Sequence, residues 1–227
     1  LRKPLPELVP DAPVLPLFEA SFAKSALDLS PLLFALADAP GRWCAQVRAL
    51  DAVCRWLPVM SLLRSPWPLE RVREHLQSLL LVEAEGQAYL LRFADTQMLA
   101  AVNTVFTPAQ RARFFQGLQA WFSVDHEGVL RDAADPQRHA RAAEPGHVPL
   151  ALDTAQTHAL LDATAVQALA SQVRHLEATF SDALDHAQQT EFISNCLATA
   201  KDAGIRDDTT LVLWALQRWQ AEQARTA

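Results

Sequence analysis

The sequence predicts an α+β or α/β protein: an N-terminal mixed α/β lobe with a small sheet, followed by an all-helical C-terminal lobe. Three observations carry this. Helix and strand signals alternate through residues 1–134. Residues 135–149 then hold Pro136, Pro145, Gly146 and Pro149 among charged and small residues, a linker composition. From residue 150 to 227 helical spacings follow one another with no strand signal. Half of the 227 residues are apolar, enough for a sizeable core, and only six are Gly, which favours helix and leaves the 14 Pro to mark boundaries.

The elements follow in chain order. Five Pro within residues 1–16 forbid helix and predict an extended lead-in. Trp43, Val47, Leu50, Cys54 and Leu57 repeat at alternating spacings of four and three, one buried helical stripe that Pro58 stops. Val59-Met60-Ser61-Leu62-Leu63, bounded by proline, predicts a buried strand. Pro68 suits the first turn of a helix whose stripe is Leu69, Val72, Leu76 and Leu79.

Residues 80–93 predict a hairpin turning at Glu83–Gln87, with Tyr89, Leu91 and Phe93 sharing one face and Arg92 on the other. Asp95 or Thr96 caps a helix with Leu99, Val102 and Phe106. Thr107-Pro108-Ala109-Gln110 is a helix start: cap, proline at the first position, glutamine at the third. That helix carries Phe114 and Phe115, and residues 121–130 predict a second hairpin with its turn at Asp125-His126-Glu127-Gly128.

Past the linker, Asp153 and Gln156 form a capping-box pair. Val166, Leu169, Val173, Leu176 and Phe180 make one stripe, and Phe192, Ile193, Cys196, Leu197 and Ala200 a second that Gly204 closes. Residues 211–216 are apolar on every face, so the last helix must be covered all round.

Charge narrows the function. The net charge is −6, which argues against nucleic acid, since binding phosphates needs a cationic surface. Residues 1–134 hold 13 Lys and Arg against 14 Asp and Glu; residues 135–227 hold 7 against 12, so the acidity lies behind. It marks a solvated helical face or a surface that prefers a basic partner. Three Cys (44, 54 and 196) are no disulfide framework, and Cys44 and Cys54 sit about 280° apart around a helix. Free thiols fit a reducing compartment. No apolar stretch reaches the length of a membrane span and no signal peptide is visible, so a cytoplasmic protein without a membrane role is expected.

Catalytic and metal motifs are not found. No glycine-rich phosphate loop, His-Glu-x-x-His, Cys-x-x-Cys or Gly-x-Ser-x-Gly occurs. Asp125-His126-Glu127 is the densest ligand cluster, but consecutive residues splay rather than converge on one ion. Asp182 with Asp185, and Asp207 with Asp208, fall at helix starts where capping accounts for them. No catalytic residue, metal or cofactor is therefore expected. Of the six Trp, Trp67 (held between two prolines), Trp214 and Trp219 (both in the last helix) are the candidate partner-binding residues, because buried aromatics dominate interfaces.

Several segments resemble one family: Pro16-Leu17-Phe18-Glu19, Ser30-Pro31-Leu32-Leu33, His75-Leu76-Gln77-Ser78-Leu79-Leu80, Leu91-Arg92-Phe93-Ala94-Asp95, Phe114-Phe115 and Trp121. Over residues 17–130 they resemble the conserved domain of the type VI secretion effector chaperones, the Tap/TEC adaptor family. The family pattern Arg-Phe-Tyr-Asp-Pro-Arg is matched at Arg92, Phe93 and Asp95 and departed from at Ala94, Thr96 and Gln97. The resemblance implies a non-catalytic cytoplasmic protein that binds a cognate secreted effector and helps load it onto the spike (VgrG/PAAR) complex, the spike protein being a possible second partner. Arg92, Phe93 and Asp95 are expected to be structural, an Arg–Asp hydrogen bond fixing the strand-to-helix turn. Two other functions remain open: an immunity-type protein that neutralises a toxin, and an α/β hydrolase or transferase.

Overall fold

The computed structural model describes residues 13–19, 24–36, 40–54, 60–124, 130–133 and 149–226. The chain has an α+β fold and divides into two compact units, Leu1–Thr157 and His158–Ala227.

The first unit holds three small sheets. Strands β1 (Leu15–Pro16) and β2 (Leu32–Leu33) form an antiparallel ribbon, with a short 3₁₀ segment Lys24–Leu29 between them. Helix α1 (Pro40–Cys54) follows. Strand β3 (Ser61–Arg64) pairs antiparallel with β6 (Ala120–Val124), which pairs antiparallel with β7 (Leu130–Asp132). The third sheet has β4 (Leu81–Ala84) at its centre, antiparallel to β5 (Gln87–Leu90) and parallel to β8 (Leu150–Leu152). Helix α2 (Leu69–Ser78) starts directly after Pro68, between β3 and β4, and α3 (Thr96–Val105) and α4 (Pro108–Phe114) lie between β5 and β6.

Local chemistry sets most of these boundaries. Glu85 and Gly86, at φ 51° and 74°, make the two-residue left-handed turn that a tight hairpin requires. Thr107 caps α4 in a full capping box: its side chain accepts from the Gln110 N–H, and the Gln110 side chain accepts from the Thr107 N–H. Asp153 and Gln156 repeat the device at 2.8 and 3.1 Å. The two glutamines also bond each other, Gln156 donating to Gln110 Oε1 at 2.8 Å and to the Val105 carbonyl at 2.9 Å.

The core of this unit is an aromatic stack. Phe114 lies parallel to Trp121, with centroids 5.6 Å apart and planes 10° apart. Phe93, Phe106 and Phe115 meet Phe114 edge-on at 5.9, 5.7 and 4.9 Å. All five rings are buried. Such edge-to-face pairs add to plain area burial because ring faces are negative and edges positive.

The second unit is helical. Helix α5 (Thr154–Leu176) contributes its residues from His158 on, followed by α6 (Ala178–Ala183), α7 (His186–Asp202) and α8 (Asp208–Thr226). Val173, Phe180, Ile193, Cys196, Ala200 and Ala215 are fully or almost fully buried. Phe180, Phe192 and Trp219 form a triangle of rings 5.2–5.7 Å apart. Asp185 and Gln188 form a third capping box at the start of α7, and the Ile205 N–H returns to the Ala200 carbonyl beyond Gly204 to close that helix.

Three expectations need correction. A strand does follow the linker: Leu150 and Leu152 are buried against β4, and three residues of parallel pairing to a distant strand leave no local pattern to read. Trp43 is 38% exposed rather than part of a core stripe, while Leu50 on the same helix is buried. Tyr89 does share a face with Leu91, across from buried Val82 and in a ladder that continues to the Leu91 N–H and Leu80 carbonyl, yet it is 45% exposed because β5 ends its sheet. Leu176 is 60% exposed, because Glu177 takes an extended conformation, caps α6 and restarts the helix in a new direction before Phe180. The turn at 125–128 lies outside the described residues.

Candidate functional site

Trp67 stands on a built platform. Ser65 donates to the Gly117 carbonyl at 2.7 Å and accepts from the Trp67 N–H at 3.0 Å, tying the loop before α2 to the turn after α4. Gly117, at φ 72°, lies so close beneath the indole that an added Cβ would overlap the ring. The Arg71 guanidinium sits over the ring at 4.4 Å, and the His75 ring packs perpendicular to it with centroids 5.7 Å apart. His75 also bonds the Phe114 carbonyl through Nε2 at 2.9 Å, and burial pushes its pKa below the ordinary value. Half-buried Trp67 is thus a fixed aromatic with one face taken by a cation.

In the Arg92–Asp95 segment, Phe93 is buried in the aromatic stack. Arg92 and Asp95 lie 3.9 Å apart, within ion-pair range but beyond hydrogen-bond length, and the Arg92 side chain is 70% exposed. The turn is closed instead by the backbone, the Asp95 N–H donating to the Arg92 carbonyl at 2.9 Å. Asp95 directly precedes α3, and its carbonyl accepts from the Leu99 N–H.

Trp214 and Trp219 differ. Trp219 is only 4% exposed, within the ring triangle, and its Nε1–H donates to Thr179 Oγ1 at 3.2 Å. Trp214 is partly buried at the margin of the same core, with Arg218 5.9 Å from its ring. The expected all-round cover of residues 211–216 is incomplete, since Leu213 is 54% exposed. A groove of about 250 Å³ between α7 and α8 is lined by Gln188, Glu191, Asn195 and Glu222 over Phe192 and Cys196. Burial pushes the Cys196 thiol up to about 11, so it is a packed side chain rather than a nucleophile.

Among the described residues no three His, Cys, Asp or Glu gather as metal ligands, and no helix is long and apolar enough to cross a membrane. His126, His139 and His147 lie outside the described residues, as do Trp56 and the side chain of Cys54. Asp185 and Asp207 cap α7 and α8, accepting from Gln188 and Thr210 N–H groups. The latter bond holds the Asp207 carboxyl below the usual range. The sequence did not single out the outer edge of β5, whose four residues are all exposed. The signals for it were present in the Glu85-Gly86 turn and the uncharged run that follows.

No curated protein and no solved structure matches the chain. Residues 2–113, just under half of its length, match the profile of a domain of unknown function, DUF4123.

Proposed function

We propose that this chain is a non-catalytic adaptor that binds one cognate effector of a type VI secretion system in the cytoplasm and helps load it onto the spike complex. The observation that carries this is the DUF4123 match over residues 2–113, a domain known in effector chaperones of that system. The matched stretch includes Arg92, Phe93 and most of the segments that resemble the Tap/TEC family. An adaptor needs contact area fitted to one client rather than a reactive group. Trp67 and Trp214 are the aromatic side chains assigned to the client, each partly exposed and held by its neighbours; Trp219 supports the helix of Trp214 from within the core.

Affinity purification of the tagged chain from its native cells, with mass spectrometry of what co-elutes, tests the assignment. The expected result is a near-stoichiometric secreted toxin or spike protein whose recovery falls when Trp67 or Trp214 is replaced by alanine. Recovery of the chain alone, from cells shown to express the neighbouring effector, contradicts it. A complex in which the toxin is inactivated and never exported assigns the chain to immunity instead.

A further inference from the structure

We propose that the outer edge of the β4–β5 hairpin is a self-association surface, through which two copies of this chain join β5 to β5 as antiparallel strands. The direction of the free backbone groups follows from the register. Ala84 and Gln87 are partners across the two-residue turn, and such a turn is closed by a hydrogen-bonded pair. Alternation then makes Val82–Tyr89 bonded and both Glu83–Ala88 and Leu81–Leu90 non-bonded. The N–H and C=O groups of Ala88 and Leu90 therefore point away from β4. Because β5 ends its sheet, no strand among the described residues receives them.

Exposed edges are ordinarily protected by lysine, proline, a bulge or a covering element. Gln87-Ala88-Tyr89-Leu90 is uncharged and lacks proline, and its pairing with β4 runs without a bulge. Tyr89 and Leu90 are 45% and 37% exposed.

Charge complementarity selects a second copy as the occupant. The hairpin tip carries Glu83 and Glu85, both exposed, and Arg92 lies two residues past the other end, with its side chain 70% exposed. An edge that is acidic at one end and basic at the other complements itself when turned antiparallel. A two-fold axis at Tyr89 pairs Ala88 with Leu90 of the second copy, so the outward groups of each meet. The same antiparallel arrangement sets the Arg92 end of each edge beside the Glu83 and Glu85 end of the other, where the exposed guanidinium, 3.9 Å from its own Asp95, gains a second carboxylate. An unrelated extended segment gains the backbone bonds but not both charge pairs. Four residues a side is less than the about 1,200–2,000 Å² of a stable interface, so the pair forms in a concentration-dependent way.

Sedimentation velocity of the full chain over a concentration series, with hydrogen exchange at each point, tests this. The average mass should rise from one copy towards two, while the Ala88 and Leu90 amides gain protection and the Tyr89 amide, already bonded to β4, does not change. Tyr89→Lys places like charges on the axis and should keep the chain monomeric with an unaltered circular dichroism spectrum. Glu83→Lys and Arg92→Glu should each weaken association several-fold, and the double variant should restore it. One mass at every concentration overturns the proposal, as does association that Tyr89→Lys and the charge reversals leave untouched. So does protection of Ala88 and Leu90 that appears only when another protein is added.

Discussion

The rings of the first unit come from well-separated pieces of chain: Phe93 from the turn after β5, Phe106 from the link between two helices, Phe114 and Phe115 from the end of α4, and Trp121 from β6. The rings of the second unit come from consecutive helices, each with its own local start signal at Glu177, Asp185 or Asp207. In the first unit, then, one buried ring joins sheets and helices that nothing local would hold together. In the second, capping and spacing already specify the helices, and the rings fix only how they pack.

The largest test of this contrast is Phe114→Ala against Phe180→Ala. Both side chains are fully buried, and truncation of a buried phenylalanine costs about 3–5 kcal/mol. Phe114, which touches four other rings, should lie at the top of that range and take the near-ultraviolet signal of Trp121 with it. Phe180, which touches two, should lie at the bottom. Denaturant unfolding followed by tryptophan fluorescence measures both, and the reverse order would break the comparison.

Next comes Gly117→Ala. The new Cβ meets the Trp67 indole at a backbone φ of 72°, and an overpacked contact of this kind costs about 1–3 kcal/mol. Thermal unfolding should show the loss together with a changed Trp67 environment. An unchanged midpoint would mean that the Trp67 platform is loose.

Caps sharpen the contrast further. Gln156→Ala removes the partner of the Val105 carbonyl and of Gln110 as well as half of a capping box, and a buried polar group left unpaired costs about 1–3 kcal/mol. Asp185→Ala removes a cap on one helix only, worth about 1 kcal/mol. Equal losses in the same unfolding assay would argue that the paired glutamines add nothing beyond ordinary capping.

The smallest effect is a pH dependence. Burial holds the folded-state pKa of His75 below its ordinary 6.5. The unfolded chain therefore takes up a proton first as pH falls, and stability is full above that value and declines beneath it. Unfolding midpoints across the mildly acidic range should show this slope in the first unit, and His75→Gln should flatten it. A slope that survives the substitution belongs to another group.

Local signals were legible and long-range ones were not. The capping boxes at Thr107 and Asp153, the closure at Gly204 and the hairpin near Gly86 each need only a few neighbouring residues, and the structure holds all four. Strand β8 carries no local signal, because its partner is β4, more than sixty residues earlier. Burial of individual tryptophans is not local either: helical spacing puts Trp43 inside although it is 38% exposed, and interface composition favours Trp219, which lies in the core. Spacing tells which residues share a face and says little about what lies against that face. The motif at Arg92, Phe93 and Asp95 was visible, but the closing bond of its turn belongs to the backbone, which a side-chain pattern does not reveal.

Secretion by a strain lacking this chain tests the central assignment most directly. The secreted and cellular fractions are probed for the co-purified effector and for an unrelated cargo of the same system. The adaptor account predicts that the cognate effector disappears from the secreted fraction, that the unrelated cargo is still exported, and that the intact gene restores export. Undiminished export of the effector, or self-intoxication of the deletion strain, would contradict it.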